Sequence, residues 1–318
     1  MVRICVVDDS VREGQLEVIK SHLPHDWMLV DSLENATAIL TQNQDVSEDM
    51  LNAAGHSLRL IARVDVGDAT VPRTDVPVVD IPHTSLIGVA EHAVTFILVL
   101  SRHLFSVSRR TAQEKWVSGR DEPILTDQRR YTYNWIGLDD FGTLYGKTVG
   151  IVGLGYIGRA VAERMLPFGV RLLYYKRHRL DPDEEKRLGV EFRARDELLK
   201  ESDFVTLHHR FEKGAGGNDR DFGAREFELM KPTAYLVNTA RGRLVDEDAL
   251  VDALTSGQIA GAGLDVFRYE PLPSGHPLLE MALQRDDVIL TPHVAGAPGD
   301  EAQVVIATEL IEHVQGVL

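Results

Sequence analysis

Short apolar runs rich in β-branched residues alternate with segments of helical spacing along most of the chain. In the first part the strand-like runs are Ile4–Val7, Met28–Val30, Arg59–Val64 and Val76–Val79, and the helical segments between them are Glu13–His22 and Ser47–Ala54. This alternation is typical of parallel α/β units, in which a helix connects one strand to the next. The pattern therefore predicts a first α/β unit near the amino terminus.

A second alternating segment begins at Thr148. Its predicted strands are Thr148–Val152, Val170–Tyr175, Phe204–Leu207, Ala234–Val237, Gly261–Val266 and Val288–Leu290, and its predicted helices are Ile157–Leu166, Asp196–Glu201, Arg225–Met230 and Glu247–Ser256. After Pro298 and Gly299, the residues up to Gly316 have the spacing of one amphipathic helix. A chain of 318 residues is long enough for two domains. We predict an α/β fold for both.

The segment between these two parts differs from both. Val89–Leu104 is apolar nearly all round a helix, so it must be buried in a core or against another subunit, and we favour the subunit. Residues 111–145 are polar and weakly periodic, and we predict a long connector. It contains Tyr131, Tyr133 and Trp135, although solvated loops rarely carry such a cluster. We hypothesise that Trp135 reaches a partner's cleft, with packing on its own domain as the alternative.

Charge narrows the classes of partner. The chain has 34 Lys+Arg against 49 Asp+Glu, which gives a formal net charge of −15. Nucleic-acid binding needs a basic face for the phosphates, so we expect no nucleic-acid partner. An anionic membrane surface is disfavoured for the same reason. The net charge does not exclude a small anionic metabolite, because a few cations are enough to bind it.

The single cysteine, Cys5, excludes an intramolecular disulfide and a multi-thiolate metal site. It lies within an apolar run, where a buried strand thiol is expected rather than a nucleophile. That run breaks at Asp8, so no signal-peptide core is present. The most apolar stretch, Ile87–Leu100, contains Glu91 and is too short to span a bilayer. We therefore expect a cytoplasmic protein without a membrane partner.

A glycine-rich turn follows the first strand of the second segment. Gly153, Gly155 and Gly158 form a G-x-G-x-x-G pattern between the predicted strand Thr148–Val152 and a predicted helix. The first glycine permits a tight turn, the second lets the backbone approach a pyrophosphate, and the third lets helix and strand pack closely. The helix amino terminus then offers free N–H groups to the anion. The pattern predicts a dinucleotide site.

The next strand should end in an acid if the dinucleotide is NAD, because a carboxylate binds the 2′-hydroxyl of the adenosine ribose. The chain instead has Lys176 and Arg177 at that place, and the nearest following acid is Asp181. Cations there favour a 2′-phosphate. We therefore predict that NADP is preferred over NAD. The alternative is that the basic residues form a solvated loop and NAD is bound by other contacts.

Three polar residues follow three further predicted strands: Arg241, Glu270 and His293. The carboxyl ends of parallel strands share one sheet edge, so we expect these side chains near the dinucleotide. His293 can donate a proton to a carbonyl oxygen, because an imidazole titrates near neutrality. Glu270 on the other ring nitrogen would orient it, and Arg241 can bind a substrate carboxylate. Asp265 suits the nicotinamide carboxamide, with a structural role in a turn as its alternative.

Over nearly its whole length the sequence resembles the D-isomer-specific 2-hydroxyacid dehydrogenases. The matching segments are Gly153–Gly158, Asn238–Leu250, Gly261–Pro273 and Thr291–Gly296. The resemblance implies that Arg241, Glu270 and His293 are catalytic. It also implies a cofactor site, which we assign to Gly153, Gly155, Tyr156, Ile157, Gly158, Lys176, Arg177, Thr239, Ala240, Arg241, Asp265 and His293. The glyoxylate/hydroxypyruvate reductase branch is the most similar.

The resemblance also implies the domain organisation. We predict a Rossmann-type dinucleotide-binding domain over residues 87–294 and a smaller flavodoxin-like α/β substrate domain over residues 1–86 and 295–318. The carboxy-terminal helix would then return to the first domain. The family forms dimers around the helix that begins Gly88-Val-Ala-Glu-His92, so we expect a homodimer through residues 88–104.

Two segments depart from the family pattern. The substrate loop, usually Gly-Val-Gly, here reads Asp65-Val66-Gly67, so only Val66 and Gly67 are assigned to the substrate together with Arg241 and His293. After Leu207 the usual Pro-Leu-Thr run is replaced by His208–Gly217, which we expect to be longer and looser. His208 and His209 have no nearby acid in the sequence, so they are interpreted as loop residues and no metal is predicted.

The sequence therefore predicts a reductase of small 2-oxo acids that uses NADP or NAD and makes the D-hydroxy acid. Two alternatives are a formate or phosphite dehydrogenase on the same fold and a dinucleotide-gated binding protein of the corepressor kind. Glu270 disfavours formate, for which the resemblance would require Gln. No motif in the chain indicates a corepressor.

Overall fold

The computed structural model describes residues 2–7, 13–41, 44–64, 70–81, 85–113, 123–139, 141–212, 214, 216–296 and 300–317. The chain forms two compact units. The first comprises Met1–Gly88 and Gly296–Leu318, and the second comprises Val89–Ala295. Both units contain parallel sheets with helices, which confirms the predicted α/β class.

The first unit is built on a parallel sheet with the strand order β2-β1-β3-β4-β5. Its strands are β1 (Val2–Val6), β2 (Trp27–Val30), β3 (Ala38–Thr41), β4 (Leu60–Val64) and β5 (Val78–Ile81), and its helices are α1 (Glu13–His22), α2 (Glu48–Ala54) and α11 (Asp300–Val317). Cys5 is buried in β1, as predicted, and burial raises the pKa of its thiol.

The central strand β3 is absent from the sequence prediction. Ala38–Thr41 is only four residues long and lies between polar residues, so its apolar run is too short to stand out. All four of its residues are nevertheless buried, because β3 pairs with β1 on one side and β4 on the other. A strand in the middle of a parallel sheet is covered on both faces.

The second unit has a parallel sheet with the order β12-β11-β10-β9-β6-β7-β8. Its strands are β6 (Thr148–Val152), β7 (Arg171–Tyr175), β8 (Val190–Phe192), β9 (Phe204–Leu207), β10 (Tyr235–Asn238), β11 (Gly261–Leu264) and β12 (Val288–Leu290). Its helices are α4 (Leu104–Ala112), α5 (Tyr156–Met165), α6 (Pro182–Leu188), α7 (Arg195–Glu201), α8 (Ala224–Leu229), α9 (Glu247–Ser256) and α10 (Pro277–Gln284), and α3 (Ser85–Ser101) enters it from the first unit.

The elements α6, β8 and α10 were not predicted. α6 is almost entirely charged, so it has no apolar stripe from which a helix could be recognised. Its ends are nevertheless well defined, by Pro182 in the first turn and by Gly189, which ends the helix in the left-handed conformation.

The predicted helix Val89–Leu104 is wrong in its extent. α3 ends at Ser101 and α4 begins at Leu104, because His103 between them adopts a left-handed backbone with φ of 47°. One face of α3 lies in the core of the second unit, where Phe96 packs against Gly263 of β11. Burial in the core of its own unit, the alternative to burial against another subunit, therefore accounts for that face of α3.

None of the described helices is by itself long and apolar enough to cross a membrane. Leu86–Ser101 and Leu104–Ala112 pass that test only when taken together, and a bend of 54° separates them.

Candidate functional site

The candidate site lies along the carboxyl edge of the second sheet. The paired strands are parallel, so their carboxyl ends share this edge. We call the residues after β10, β11 and β12 the histidine flank; it contains Thr239–Arg241, Asp265, Glu270 and His293. We call the residues after β7 and β9 the basic flank; it contains Lys176–Arg179 and His208–Asp221. The glycine turn follows β6, which lies between β9 and β7, the two strands of the basic flank.

The glycine turn has the geometry that a dinucleotide requires. Gly153 adopts φ of +96° and donates its N–H to Tyr175 O at 2.9 Å. A Cβ on Gly158 would lie 2.2 Å from Gly153 O, so only glycine lets α5 pack this closely. A Cβ on Gly155 would meet nothing within 4 Å, so space is open at the start of α5, where Tyr156 and Ile157 form the first turn. Open space beside free helical N–H groups fits a pyrophosphate.

His293 and Glu270 are in direct contact. His293 Nδ1 lies 2.6 Å from Glu270 Oε2, and Glu270 Oε1 accepts the N–H of Phe267 at 2.9 Å. The carboxylate is therefore fixed by the backbone, and it in turn orients the imidazole. Because Glu270 accepts from Nδ1, the other ring nitrogen, Nε2, is left to face a ligand. His293 has φ of +54°, which is uncommon for a residue with a side chain.

Asp265 holds the segment that carries His293. Its side chain is fully buried, and its carboxylate accepts hydrogen bonds from Thr291 Oγ1 at 2.5 Å and from the N–H groups of Val294 and Ala295 at 2.9 Å each. The N–H of His293 also donates to Asp265 O at 2.8 Å. These contacts favour the structural alternative for Asp265 over the carboxamide contact.

Arg241 projects from a turn that Asn238 shapes. Asn238 Oδ1 accepts the N–H of Ala240 at 3.0 Å, and its Nδ2 donates to Arg241 O at 3.1 Å. The Arg241 side chain is exposed and donates to Ala240 O at 2.7 Å. No hydrogen bond joins Arg241 to His293 or Glu270 among the described residues, so the three predicted residues share the edge while only two are in contact.

The Thr239 hydroxyl and a cavity beside His293 are two separate features that suit ligands. The buried Thr239 hydroxyl has no hydrogen-bond partner among the described residues, and such an orphaned group fits a cofactor that would supply one. A cavity of about 560 Å³ adjoins the imidazole–carboxylate pair. Its apolar walls include Phe267, Leu272, Leu279 and Leu290.

The cations of the basic flank are largely paired. Arg177 Nη2 lies 2.5 Å from Glu212 Oε2, and this contact lowers the pKa of the Glu212 carboxyl below its ordinary value. Arg179 forms a two-pronged pair with Glu185 at 2.8 and 2.9 Å. Lys176 is partly buried and has no ion pair among the described residues.

The loop after β9 was predicted to be loose, but its described part is held by hydrogen bonds, and Lys213 and Ala215 lie outside the described residues. Asn218 Oδ1 accepts the N–H of Glu212 at 2.7 Å, and Asn218 Nδ2 donates to Arg210 O at 2.7 Å. Phe211 between them is buried, with the Arg243 guanidinium 4.5 Å from its ring centre. One amide side chain thus closes the loop, which sequence spacing alone does not reveal.

One of the two histidines that were interpreted as loop residues has an acid nearby in space. His209 Nε2 lies 3.3 Å from Asp221 Oδ2, because the closed loop brings Asp221 back to the strand end. His208 Nε2 is 2.8 Å from Thr206 Oγ1, and desolvation lowers the pKa of His208 to about 3, which keeps it neutral at physiological pH. The described residues contain no cluster of three or more His, Cys, Asp or Glu suited to a metal ion.

The substrate loop cannot be compared with the prediction, since Asp65, Val66 and Gly67 lie outside the described residues. Two residues of the site went unassigned in the sequence: Asn238, which shapes the Arg241 turn, and Glu212. Asn238 could have been found as a polar residue at the buried end of a strand. Glu212 had no such signal, because its partner lies 35 positions away.

Comparisons with known proteins agree with this geometry. The family model "D-isomer specific 2-hydroxyacid dehydrogenase, NAD binding domain" matches residues 94–295. A glyoxylate reductase of Thermococcus gammatolerans is 37% identical over 306 residues, covering 91% of this chain and 85% of that protein. A glyoxylate reductase structure from Paecilomyes thermophila superposes with a TM-score of 0.69 at 25% identity, over 100% of this chain and 97% of that one. A D-lactate dehydrogenase structure from Aquifex aeolicus, complexed with NAD and lactic acid, has a TM-score of 0.68 at 26% identity, over 99% and 96% of the two chains.

Proposed function

Because the chain belongs to the D-isomer-specific 2-hydroxyacid dehydrogenase family, we propose that it reduces a small 2-oxo acid of the glyoxylate or hydroxypyruvate kind to the D-2-hydroxy acid. The fold is that of a nicotinamide-dinucleotide-dependent dehydrogenase. The contact between His293 and Glu270 at the carboxyl edge is the single observation that carries the proposal. It supplies an oriented proton donor on the same sheet edge as a glycine turn suited to a dinucleotide.

The proposed roles follow from the contacts. A reduced nicotinamide dinucleotide, once held at the glycine turn, would supply the hydride for the carbonyl carbon. His293 Nε2 gives a proton to the carbonyl oxygen, and the Glu270 carboxylate orients the imidazole through Nδ1. Arg241, exposed at the neighbouring strand end, binds the substrate carboxylate through its planar fork. Gly153–Gly158 and the orphaned Thr239 hydroxyl would hold the cofactor, and Val66 and Gly67 the substrate.

Turnover separates this proposal from its rivals. Purified protein with NADPH or NADH should reduce glyoxylate or hydroxypyruvate, as followed by loss of absorbance of the reduced cofactor. Tight cofactor binding with no turnover on any 2-oxo acid would favour a dinucleotide-gated binding protein instead. Oxidation of formate or phosphite without 2-oxo acid reduction would favour the second alternative.

For the cofactor, we propose that NADPH is preferred. In an NAD-specific site an acid at the end of β7 would repel the 2′-phosphate of NADP. This chain has the cations Lys176 and Arg177 at that place, which attract the phosphate, and Lys176 has no ion pair among the described residues. Replacing both by Gln should lower kcat/KM for NADPH and leave that for NADH almost unchanged. The matched control is Arg179→Gln, whose side chain is already paired with Glu185. A wild type that prefers NADH by about tenfold (~1.4 kcal/mol) or more would refute the preference.

For the assembly, we propose a cytoplasmic homodimer through the 88–104 segment. Leu104 and Phe105, at the start of α4, are each about half exposed, which suits an apolar contact with a second copy. We also propose that residues 87–294 bind the dinucleotide and that residues 1–86 with 295–318 bind the substrate. Light scattering that gives the mass of a monomer at micromolar concentration would contradict the dimer.

A further inference from the structure

An ion pair joins the loops on either side of the glycine turn. β6, which ends at Val152 just before Gly153, lies between β9 and β7 in the sheet. Arg177 follows β7 and Glu212 follows β9, and their side chains meet at 2.5 Å. The pair therefore spans the strand end that carries the glycine turn.

Glu212 is held in place by its own loop. Its N–H donates to Asn218 Oδ1 at 2.7 Å, and its carbonyl accepts the N–H of Asn218 at 3.2 Å. The preceding side chain, Phe211, is 8% exposed and anchors the loop to the unit. The Glu212 side chain itself is 40% exposed, so a fixed backbone presents a carboxylate that solvent and ligands can reach.

We propose that Glu212 supplies the acid that the end of β7 lacks, and that it thereby sets the selectivity between NAD and NADP. The inference rests on the proposed placement of the adenosine ribose at the end of β7. The ribose 2′-hydroxyl of NAD can donate to the Glu212 carboxylate. A 2′-phosphate, with a charge of about −1.5 to −2, is repelled by it and must compete with it for Arg177. Selectivity is then the balance between Lys176 and Arg177 on one side and Glu212 on the other.

The test measures the dissociation constants of NADPH and NADH without any 2-oxo acid, from the fluorescence of the bound reduced cofactor at low salt. Glu212→Gln removes the charge and keeps the size. It should shift the ratio of the two constants towards NADPH by about fivefold or more, mainly through tighter NADPH binding. Glu212→Asp, which keeps the charge on a shorter side chain, should shift the ratio much less.

Asp219→Asn is the matched control, because Asp219 lies in the same loop and pairs with Arg243 at 2.6 Å instead of with the end of β7. It should leave the ratio unchanged. A ratio for Glu212→Gln within about twofold of wild type would overturn the proposal. An equal shift in Asp219→Asn would do so too, since it would reveal a general effect of net charge. Binding is measured without a 2-oxo acid, so the result is independent of whether the chain reduces glyoxylate.

Discussion

The histidine flank and the basic flank lie on the same sheet edge but are built by different kinds of contact. On the histidine flank, the fully buried Asp265 carboxylate and the backbone of Phe267 fix the positions of His293 and Glu270. On the basic flank, Arg177 is 69% exposed and its contacts are ion pairs in solvent. Proton transfer depends on a fixed geometry, whereas selection between two similar cofactors depends on a balance of charge. The geometry of the histidine flank is fixed by buried contacts beneath it, whereas the charge balance of the basic flank is set at the surface.

The largest effect is expected at the proposed proton donor of the histidine flank. His293→Ala removes the proposed proton donor and should lower the rate of 2-oxo acid reduction by roughly 10²–10⁴-fold. The dissociation constant of the cofactor should stay close to that of wild type, because the glycine turn is untouched. His313→Ala on α11, whose side chain is 39% exposed, is the control and should retain full activity. Near-normal turnover by His293→Ala would contradict the assignment of proton transfer to the histidine flank.

A second variant asks whether the buried carboxylate positions the histidine. Asp265→Asn places an amide where N–H groups of Val294 and Ala295 donate, so the His293 segment should shift and kcat should fall by up to about 10²-fold. The free energy of unfolding should fall by about 1–3 kcal/mol, because a buried charged acceptor is lost. Thermal melting and kinetics measure both effects.

The two interpretations of Asp265 give different results. Thr291→Val removes only one donor to the Asp265 carboxylate, so it should lower kcat by less than Asp265→Asn does. If Asp265 instead binds the carboxamide of the cofactor, Asp265→Asn should mainly raise the dissociation constant of the cofactor and leave the melting temperature unchanged. That pattern would contradict the positioning role.

The smallest effect concerns the contact between Arg179 of the basic flank and the largely buried Glu185 carboxylate. The Glu185 carboxyl accepts from Arg179 and from Tyr174 Oη at 2.6 Å, and these contacts lower its pKa from 4.5 to about 2. The folded state therefore gains stability that is fully present above pH 4.5 and is lost as the pH falls towards 2. Glu185→Gln should lower the free energy of unfolding at pH 7 by about 1–3 kcal/mol.

The same series at different pH values tests the cause. The difference between wild type and Glu185→Gln should shrink as the pH is lowered from 4.5 towards 2 in urea titrations. Glu197→Gln is the control, because Glu197 pairs with Lys200 at a side-chain exposure of 55% and should change stability by less than about 1 kcal/mol. If the difference in the free energy of unfolding between wild type and Glu185→Gln did not change with pH, the ionised Glu185 carboxylate would not be the cause of the stabilisation.

Sequence reasoning succeeded where the required chemistry is local. Gly153, Gly155 and Gly158 lie within six residues and need only a strand before them and a helix after them, so the turn could be predicted completely. Glu270 and His293 could be placed on one edge because both follow strands of one parallel sheet. The sequence could predict that Glu270 would hydrogen-bond to His293, but it could not give the distance between the two side chains.

It failed where a contact depends on how a loop closes. Whether Arg177 meets a phosphate or Glu212 is decided by the path of the loop after β9, and that path is set by Asn218. The charged helix α6 was not predicted because it has no apolar stripe. Its limits are set by Pro182 in the first turn and by Gly189 at its end. Such features leave no periodic signal in a single sequence.

The return of α11 to the first unit has a consequence for how the chain is made. Ile306, Ala307, Leu310 and Val314 of α11 are buried in the core that also contains Ile4 of β1 and Leu60 of β4. During translation the amino-terminal strands therefore leave the ribosome long before the helix that covers them exists. The second unit, which is continuous in sequence, can complete its own core first. The amino-terminal unit must wait, with exposed apolar surface, for the carboxy-terminal helix to be synthesised.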